Sequence, residues 1–275
     1  MHLALRISGL ILIAGAATLQ AANKYDLSQA QIDDIVHKFA AKESQFAKAR
    51  EAYTYRQTAR IQELDDSGAI TGRWEIVSDI VFSPDGKRTE HVVRSPVPSL
   101  QNITLTPEDM EDMKSVQPFV LTTPELPKYL IRYLGHQNVD EIGCYVFAVK
   151  PAKIEGTQRY FSGEVWVDDR DLQIVKSYGR GVGSANRKGD NQFPKFETYR
   201  EQIDGKYWFP TYTVANDTLH FKTSDQRIRQ TIRYEDYKQF GAETKITFGD
   251  EAKDDTNPAQ PKPPATAPLT APKKP

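Results

Sequence analysis

The 275-residue chain is poor in the residues that build covalent frameworks and metal centres: it has one cysteine, three methionines and five histidines. A single cysteine excludes an intrachain disulfide framework and a cysteine-rich zinc or iron–sulfur site. Lysine and arginine total 36 against 37 aspartates and glutamates, so the formal net charge is only -1. A balanced charge without basic clusters argues against a nucleic-acid partner.

Motifs of known catalytic or cofactor sites are also scarce. No HxxxH or HxH spacing joins any two histidines, and there is no G-x-S-x-G elbow. Cys144 lies in an apolar segment, where a cysteine usually serves as a small core residue. The glycine-rich stretch 179–183 lacks the Lys-Ser/Thr of a phosphate-binding loop. We therefore expect a protein that is not an enzyme and that uses no metal and no cofactor.

Residues 1–22 have the layout of a secretory signal peptide. Arg6 precedes an apolar stretch, and small residues follow at Ala21 and Ala22. The alternative is a membrane anchor, but the apolar stretch is shorter than the ~20 residues that a span needs. The only cysteine is Cys144, so no lipid-modified cysteine can follow the leader. We expect an exported, soluble, periplasmic protein without a lipid anchor.

Residues 251–275 form a proline-rich end. This segment has seven of the chain's 17 prolines and no aromatic residue, which is typical of a disordered tail. Between the two ends, residues 23–250 are expected to form one folded domain.

The folded region begins with a helical pattern. Apolar residues recur with a period of 3.6 from Leu27 to Phe46, which predicts a long amphipathic helix. Ser28 and Gln31 have the spacing of a capping box at its start.

From Tyr53 onward the apolar period changes to two, and short turns separate successive segments. Ser83-Pro84-Asp85-Gly86, Asp168-Asp169-Arg170-Asp171 and Asp204-Gly205 are three such turns. Strands joined by short turns pair antiparallel. The segment starting at Thr106-Pro107 has the signals of a second, short helix that carries Met110 and Met113.

We therefore predict a mainly β (α+β) fold. It is a strongly curved antiparallel sheet that forms an unclosed half-barrel, with the long N-terminal helix and the short inserted helix covering its concave face. Aromatic and branched residues share one face of two strands, with Gly163 leaving room between them. The candidate ligand-binding residues of this concave face and of the short helix are Trp74, Ile76, Ile80, Phe82, Phe161, Val165, Val167, Met110 and Met113. Ordinary core packing explains the same residues equally well, and the sequence leaves both explanations open.

Two passages carry a family resemblance. The first is Tyr129–Lys153, a strand pair turning through Val139-Asp140, and the second is Tyr160–Ile174, followed downstream by Ile203–Thr211. In order and spacing they resemble the LolA-like outer-membrane lipoprotein-sorting proteins. The resemblance implies an unclosed antiparallel barrel with helices lidding a hydrophobic cavity for acyl chains. In the carrier of that family an arginine on the first strands tethers the lid, and Arg56 and Arg60 are the candidates here.

The leading hypothesis is a periplasmic carrier that binds the acyl chains of a lipid or lipoprotein in a half-barrel cavity. Its partners would be that cargo and membrane-associated donor or acceptor proteins. The alternative is an envelope sensing or scaffold domain of the same fold with a filled core and no lipid ligand.

Overall fold

The computed structural model describes residues 25–83, 85–183 and 193–240. The predicted signal peptide 1–22 and the predicted tail 251–275 lie outside the described residues, as do the two ends of the predicted domain 23–250. None of the helices within the described ranges is long and apolar enough to cross a membrane.

The first element is the predicted amphipathic helix α1, Gln29–Ala49. Ser28 is its N-cap, and the Ser28 and Gln31 side chains form the expected capping box. The buried residues Phe39 and Phe46 lie on its apolar stripe. A 3₁₀ turn, Arg50–Ala52, leads from α1 directly into the first strand.

Within the described ranges, ten strands form one antiparallel sheet. They are β1 Tyr53–Leu64, β2 Ile70–Phe82, β3 Arg88–Arg94, β4 Tyr129–Val139, β5 Ile142–Pro151, β6 Tyr160–Asp168, β7 Ile174–Val182, β8 Phe196–Ile203, β9 Tyr207–His220 and β10 Asp225–Gln239. The strand order is β3-β2-β1-β10-β9-β8-β7-β6-β5-β4. β3 and β4 are the two edges, so the curved sheet does not close into a barrel, as predicted.

Short turns join neighbouring antiparallel strands, as predicted. Asp204 and Gly205, between β8 and β9, have φ angles of 54° and 66°. Aspartate and glycine tolerate this left-handed conformation, which lets the strands reverse in a tight turn.

The pairing of β1 with β10 joins strands that are far apart in the sequence. Ala59 lies opposite Ile232 and Ile61 lies opposite Gln230. The two β1 residues share a face with Glu63, and this face is turned toward the helices.

The chain between β3 and β4 crosses that face. It contains α2, Pro107–Glu111, then a π-helical turn, Asp112–Val116, and a 3₁₀ turn, Thr123–Lys128. Thr106 caps α2 through a capping box with Asp109, as the Thr-Pro signal predicts. The long helix and the short inserted helix therefore cover the concave face, and the predicted fold class is confirmed.

Candidate functional site

The covered face has a filled half, formed by α1 on strands β5 to β8. Phe161, Val165 and Val167 are fully buried there, packed with Phe39 of α1 and Phe147 of β5. These three predicted cavity residues therefore lie in a continuous hydrophobic core beneath α1.

Gly163 on β6 does not leave room for a ligand, contrary to the expectation from sequence. A Cβ atom at this position would lie 2.5 Å from the Cα of Gly179 and close to the carbonyl of Tyr178. The missing side chain instead allows β6 and β7 to approach closely. The expectation was wrong because the space beside a glycine depends on the neighbouring strand, which the local sequence does not describe.

The other half, where α2 and the π-helical turn face β1, β9 and β10, contains a cavity of about 300 Å³. We call it the methionine cavity, because the buried Met113 forms part of its wall. Its apolar lining consists of Ile61, Ile103, Leu105, Met113, Phe193, Pro194, Phe196, Leu219, Phe221 and Ile228. Its polar lining consists of Asn102, Thr104, Thr106, Asp109, Asp112, Gln117 and Gln230. Small-molecule sites are mostly apolar clefts of ~300–1,000 Å³, so this cavity lies at the lower end of that range.

Buried Glu63 of β1 holds one wall of the methionine cavity. Its carboxylate accepts backbone N–H bonds from Gln101 (2.9 Å), Asn102 (2.7 Å) and Ile103 (2.9 Å). A carboxylate that receives three backbone donors is well satisfied, which explains its complete burial.

A buried ion pair holds the π-helical turn. Arg159, which precedes β6, donates from Nε to Asp112 Oδ1 at 2.7 Å and from Nη1 to the Gly183 carbonyl at 2.6 Å. Burial raises the pKa of Asp112 to about 6, against the lowering effect of Arg159. The pair joins one wall of the methionine cavity to the sheet.

A second buried ion pair joins α1 to β8. Arg200 Nη1 lies 3.1 and 3.2 Å from the two oxygens of Glu43, and Glu43 also accepts from the Ile174 N–H at 3.1 Å. Burial raises the pKa of Glu43 above its usual range, although Arg200 opposes the shift.

Arg56 and Arg60, the candidates for a lid-tethering arginine, lie on the opposite face of β1. Arg56 pairs with Asp79 at 2.8 Å and Arg60 pairs with Glu75 at 2.5 Å, both on β2. Among the described residues, Arg159 and Arg200 are instead the buried arginines that bind segments covering the sheet.

The remaining predicted site residues are dispersed. Trp74 and Ile76 are partly buried and pack against the cluster that contains Ile61 and Met113, whereas Ile80 is fully buried. Phe82 lines a different cavity, of about 310 Å³.

Met110 and Met113 do not share one environment. Met110 is 37% exposed, whereas Met113 is 3% exposed and lines the methionine cavity. The helix changes from α to π between them, so their three-residue spacing no longer places them on one face.

The described residues show no arrangement with an evident catalytic role. Within the described ranges, no three histidines, cysteines or acidic residues come together in a way that could hold a metal ion. Burial raises the pKa of the Cys144 thiol to about 12, which makes it a poor nucleophile.

No protein-family model matches this sequence, and no curated protein matches it. Similar solved structures include a DUF1329 family protein from Desulfovibrio piger, with 14% identity over 74% of this chain and 91% of the other and a TM-score of 0.36. A LolA superfamily protein from Nitrosomonas europaea has 13% identity over 76% of this chain and 93% of the other, with a TM-score of 0.33. A domain assigned to outer membrane lipoprotein sorting, from Vibrio parahaemolyticus, has 14% identity over 74% and 93%, with a TM-score of 0.34.

Two of these structures are described by the family name that the two sequence passages suggest. Identities are near 14% and each TM-score is below 0.5. The function of this chain is therefore inferred from its own residues.

Proposed function

We propose that this chain is a non-catalytic periplasmic binding or carrier protein that holds an acyl chain of a lipid or lipoprotein in the methionine cavity. The observation that carries the proposal is the cavity itself, a space between α2 and the sheet that is lined by ten apolar residues and, on its polar side, by residues such as Asp109, Gln117 and Gln230. Each methylene that it buries contributes about 0.8 kcal/mol, before ordering costs. Met113 suits such a wall because a methionine side chain adapts to varied shapes.

The route into the cavity would be the segment from Ile103 to Met113. α2 has only five residues and no buried side chain, so few contacts hold it. Two interactions hold the chain on either side of it: the hydrogen bonds to Glu63 before α2 and the Asp112–Arg159 ion pair after it. We infer that this segment moves when an acyl chain enters and that a membrane-associated acceptor removes the cargo.

A fluorescent fatty-acid probe tests the proposal. Leu105→Glu would place a carboxylate at the cavity wall, at a partly buried position where the fold can tolerate it. We expect the variant to fold and to bind the probe at least about tenfold more weakly, because an unpaired charge against an acyl chain costs several kcal/mol.

Leu130→Glu is the matched control, because Leu130 is 53% exposed on the edge strand β4. This variant should bind the probe as the unchanged protein does. If the unchanged protein binds neither fatty-acid nor lipopeptide probes, the carrier proposal is wrong.

The second candidate function is an envelope sensing or scaffold domain without a lipid ligand. It is favoured by the filled half, where α1 leaves Phe161, Val165 and Val167 fully buried. Native mass spectrometry of protein purified from its own periplasm separates the two functions. A co-purified phospholipid or acyl chain supports the carrier, and its absence supports the scaffold.

Export is part of the proposal. It rests on residues 1–22, whose charged start, apolar centre and small residues at Ala21 and Ala22 resemble a signal peptide. The intact mass of exported protein tests it, and a retained leader or an added diacylglyceryl group would contradict it.

A further inference from the structure

A second cavity, of about 310 Å³, lies at the C-terminal end of α1 and is chemically unlike the first. We call it the arginine cavity. Six aromatic residues line it: Phe46, Tyr55, Phe82, Phe209, Tyr234 and Tyr237. Three cationic side chains also line it, those of Arg50, Arg88 and Lys114, whereas Glu125 is its single lining carboxylate.

Arg50 carries a charge that no described side chain neutralises by an ion pair. Its guanidinium carbon lies 5.9 Å from the ring centres of both Phe46 and Phe82. Burial lowers the pKa of Arg50, which means that its charged form lacks much of the hydration that it has in water. A charged guanidinium inside an aromatic wall is most stable when an anion reaches it.

Arg88 has spare hydrogen-bonding capacity in the same cavity. Its Nη1 donates to Glu90 at 3.2 Å and its Nη2 donates to Gln57 at 3.1 Å. Its Nε is buried and has no partner within the described part of the chain. Against the lowering effect of burial, Tyr55, which also lines the arginine cavity, interacts with the same guanidinium and raises the pKa of Arg88. Because buried donors are nearly always paired, Nε is a donor that a bound acceptor can use.

The arginine cavity is separate from the methionine cavity. Met113 and Gln117 line the methionine cavity, whereas Lys114 and Pro118 line the arginine cavity. Buried polar contacts fix the segment between them, since Thr198 Oγ1 donates to the Gln117 carbonyl at 2.7 Å. Ligand binding in the two cavities can therefore be tested independently.

We propose that the arginine cavity binds a phosphate ester, with the phosphate on Arg50, Arg88 and Lys114 and the organic part against the aromatic walls. Guanidinium groups match phosphate oxygens with paired donors, and Lys114 adds a point charge at the exposed rim. Glu90 pairs with Arg88 at 3.2 Å, and Glu125 accepts a hydrogen bond from Thr122 at 3.0 Å, so these two carboxylates oppose only part of the charge of the three cations. The phosphate could belong to a phospholipid headgroup or could be a free anion.

The experiment measures binding by calorimetry with three probes: dihexanoyl phosphatidic acid, dihexanoylglycerol without phosphate, and inorganic phosphate. We expect the phosphatidic acid to bind and Arg50→Gln to weaken that binding about tenfold or more, because a charge-assisted hydrogen bond is lost. Lys114→Gln should weaken it less, since Lys114 is exposed. If inorganic phosphate also binds and depends on Arg50, the site accepts a free anion; if it does not bind, the site is specific for an esterified headgroup.

Two controls keep the test specific. Arg132→Gln removes an exposed arginine from β4 and should leave all three affinities unchanged. Leu105→Glu alters the methionine cavity. In its background, Arg50→Gln should weaken phosphatidic acid binding by the same factor as in the unchanged protein. The folding of Arg50→Gln is checked by thermal unfolding, where a single cooperative transition shows that the variant is folded at the temperature of the binding experiment.

The proposal is overturned if phosphatidic acid does not bind, or if it binds and neither Arg50→Gln nor Lys114→Gln changes its affinity. It is also overturned if dihexanoylglycerol binds as tightly as phosphatidic acid and with the same dependence on Arg50.

Discussion

Glu43 of α1 and Arg200 of β8 form an ion pair in which both side chains are almost completely buried, at 0% and 2% exposure. Arg200 also donates to the backbone carbonyl of Phe119, so one guanidinium binds both the long helix and the segment that follows the π-helical turn. The pair therefore fixes both covering segments at one point of the sheet.

Arg200→Met should lower the free energy of unfolding by about 3–5 kcal/mol, because it leaves the Glu43 carboxylate buried and unpaired. Glu43→Gln should destabilise the unchanged protein, since it leaves Arg200 unpaired. In the Arg200→Met background the same Glu43→Gln change should be stabilising, because it removes a buried charge. Urea unfolding of the four proteins measures this reversal of sign.

The matched control is the exposed pair Asp34–Lys38 on α1. Lys38→Met should change stability by less than about 0.5 kcal/mol. If Glu43→Gln has the same effect with and without Arg200, the two residues are not energetically coupled.

Asp112 predicts a pH dependence of stability. Its pKa is about 6 in the folded protein, against 3.8 for an unperturbed aspartate, because burial outweighs the effect of Arg159. Between about pH 4 and pH 6 the folded state therefore keeps a proton that the unfolded state has released. The contribution of Asp112 to stability should fall as the pH rises through this window, by on the order of 1–3 kcal/mol.

The measurement is the free energy of unfolding between pH 4 and pH 7. Asp112→Asn should remove this part of the pH dependence, whereas Asp66→Asn, in an exposed turn, should leave it in place. Glu43 contributes a pH dependence in the same direction. The test is therefore the difference between the pH–stability curves of the unchanged protein and of Asp112→Asn. An unchanged slope in Asp112→Asn would contradict the prediction.

The fold was largely predictable because its signals are local. Ser28 and Gln31 mark the start of α1, Thr106 marks α2, and Asp204-Gly205 marks a hairpin turn. Each depends on a few neighbouring residues whose backbone conformation is nearly independent of the rest of the chain. The pairing of β1 with β10 had no such signal, because no short turn joins these two strands.

The buried charges were missed, although the sequence does contain a signal for them. Glu43 lies four residues after Phe39 and three before Phe46, and so interrupts the apolar stripe of α1. Glu63 and Arg200 likewise occupy inward positions of β1 and β8. A charge at an inward position indicates a buried partner, but the identity of that partner depends on the tertiary fold.

Glu63→Gln should loosen the wall of the methionine cavity. The amide NH₂ would face a backbone N–H where the carboxylate now has an acceptor oxygen, so one of the three backbone donors loses its bond. The expected cost is about 1–3 kcal/mol, the usual penalty for a buried donor without a partner.

Hydrogen exchange checks this prediction directly. Amide protection should fall at Gln101, Asn102 and Ile103, while β5 keeps its protection. Gln62→Ala is the control, because Gln62 lies one residue away on the opposite face of β1. It should change neither the amide protection of residues 101–103 nor that of β5. Unchanged exchange in Glu63→Gln would show that the three bonds do not hold this segment.

The last prediction compares the two halves of the covered face. Phe161 is fully buried under α1, so Phe161→Ala should create a cavity and cost about 3–5 kcal/mol. Because the methionine cavity is lined by other residues, fatty-acid binding at a temperature where the variant is folded should be unchanged.

Ile76→Glu should show the opposite pattern. Ile76 does not line the methionine cavity, but it is partly buried and packs against the cluster that includes the lining residues Ile61 and Met113. A carboxylate there can keep some of its hydration while it disturbs this wall of the cavity. We expect this variant to be less destabilised than Phe161→Ala and to bind a fluorescent fatty acid at least about tenfold more weakly. Thermal unfolding and probe titration of both variants give the comparison. If Ile76→Glu binds the probe normally, the wall around Ile76 does not contact the acyl chain. If Phe161→Ala abolishes binding while it is folded, the ligand lies under α1 instead. The filled half of the covered face must then open to admit it.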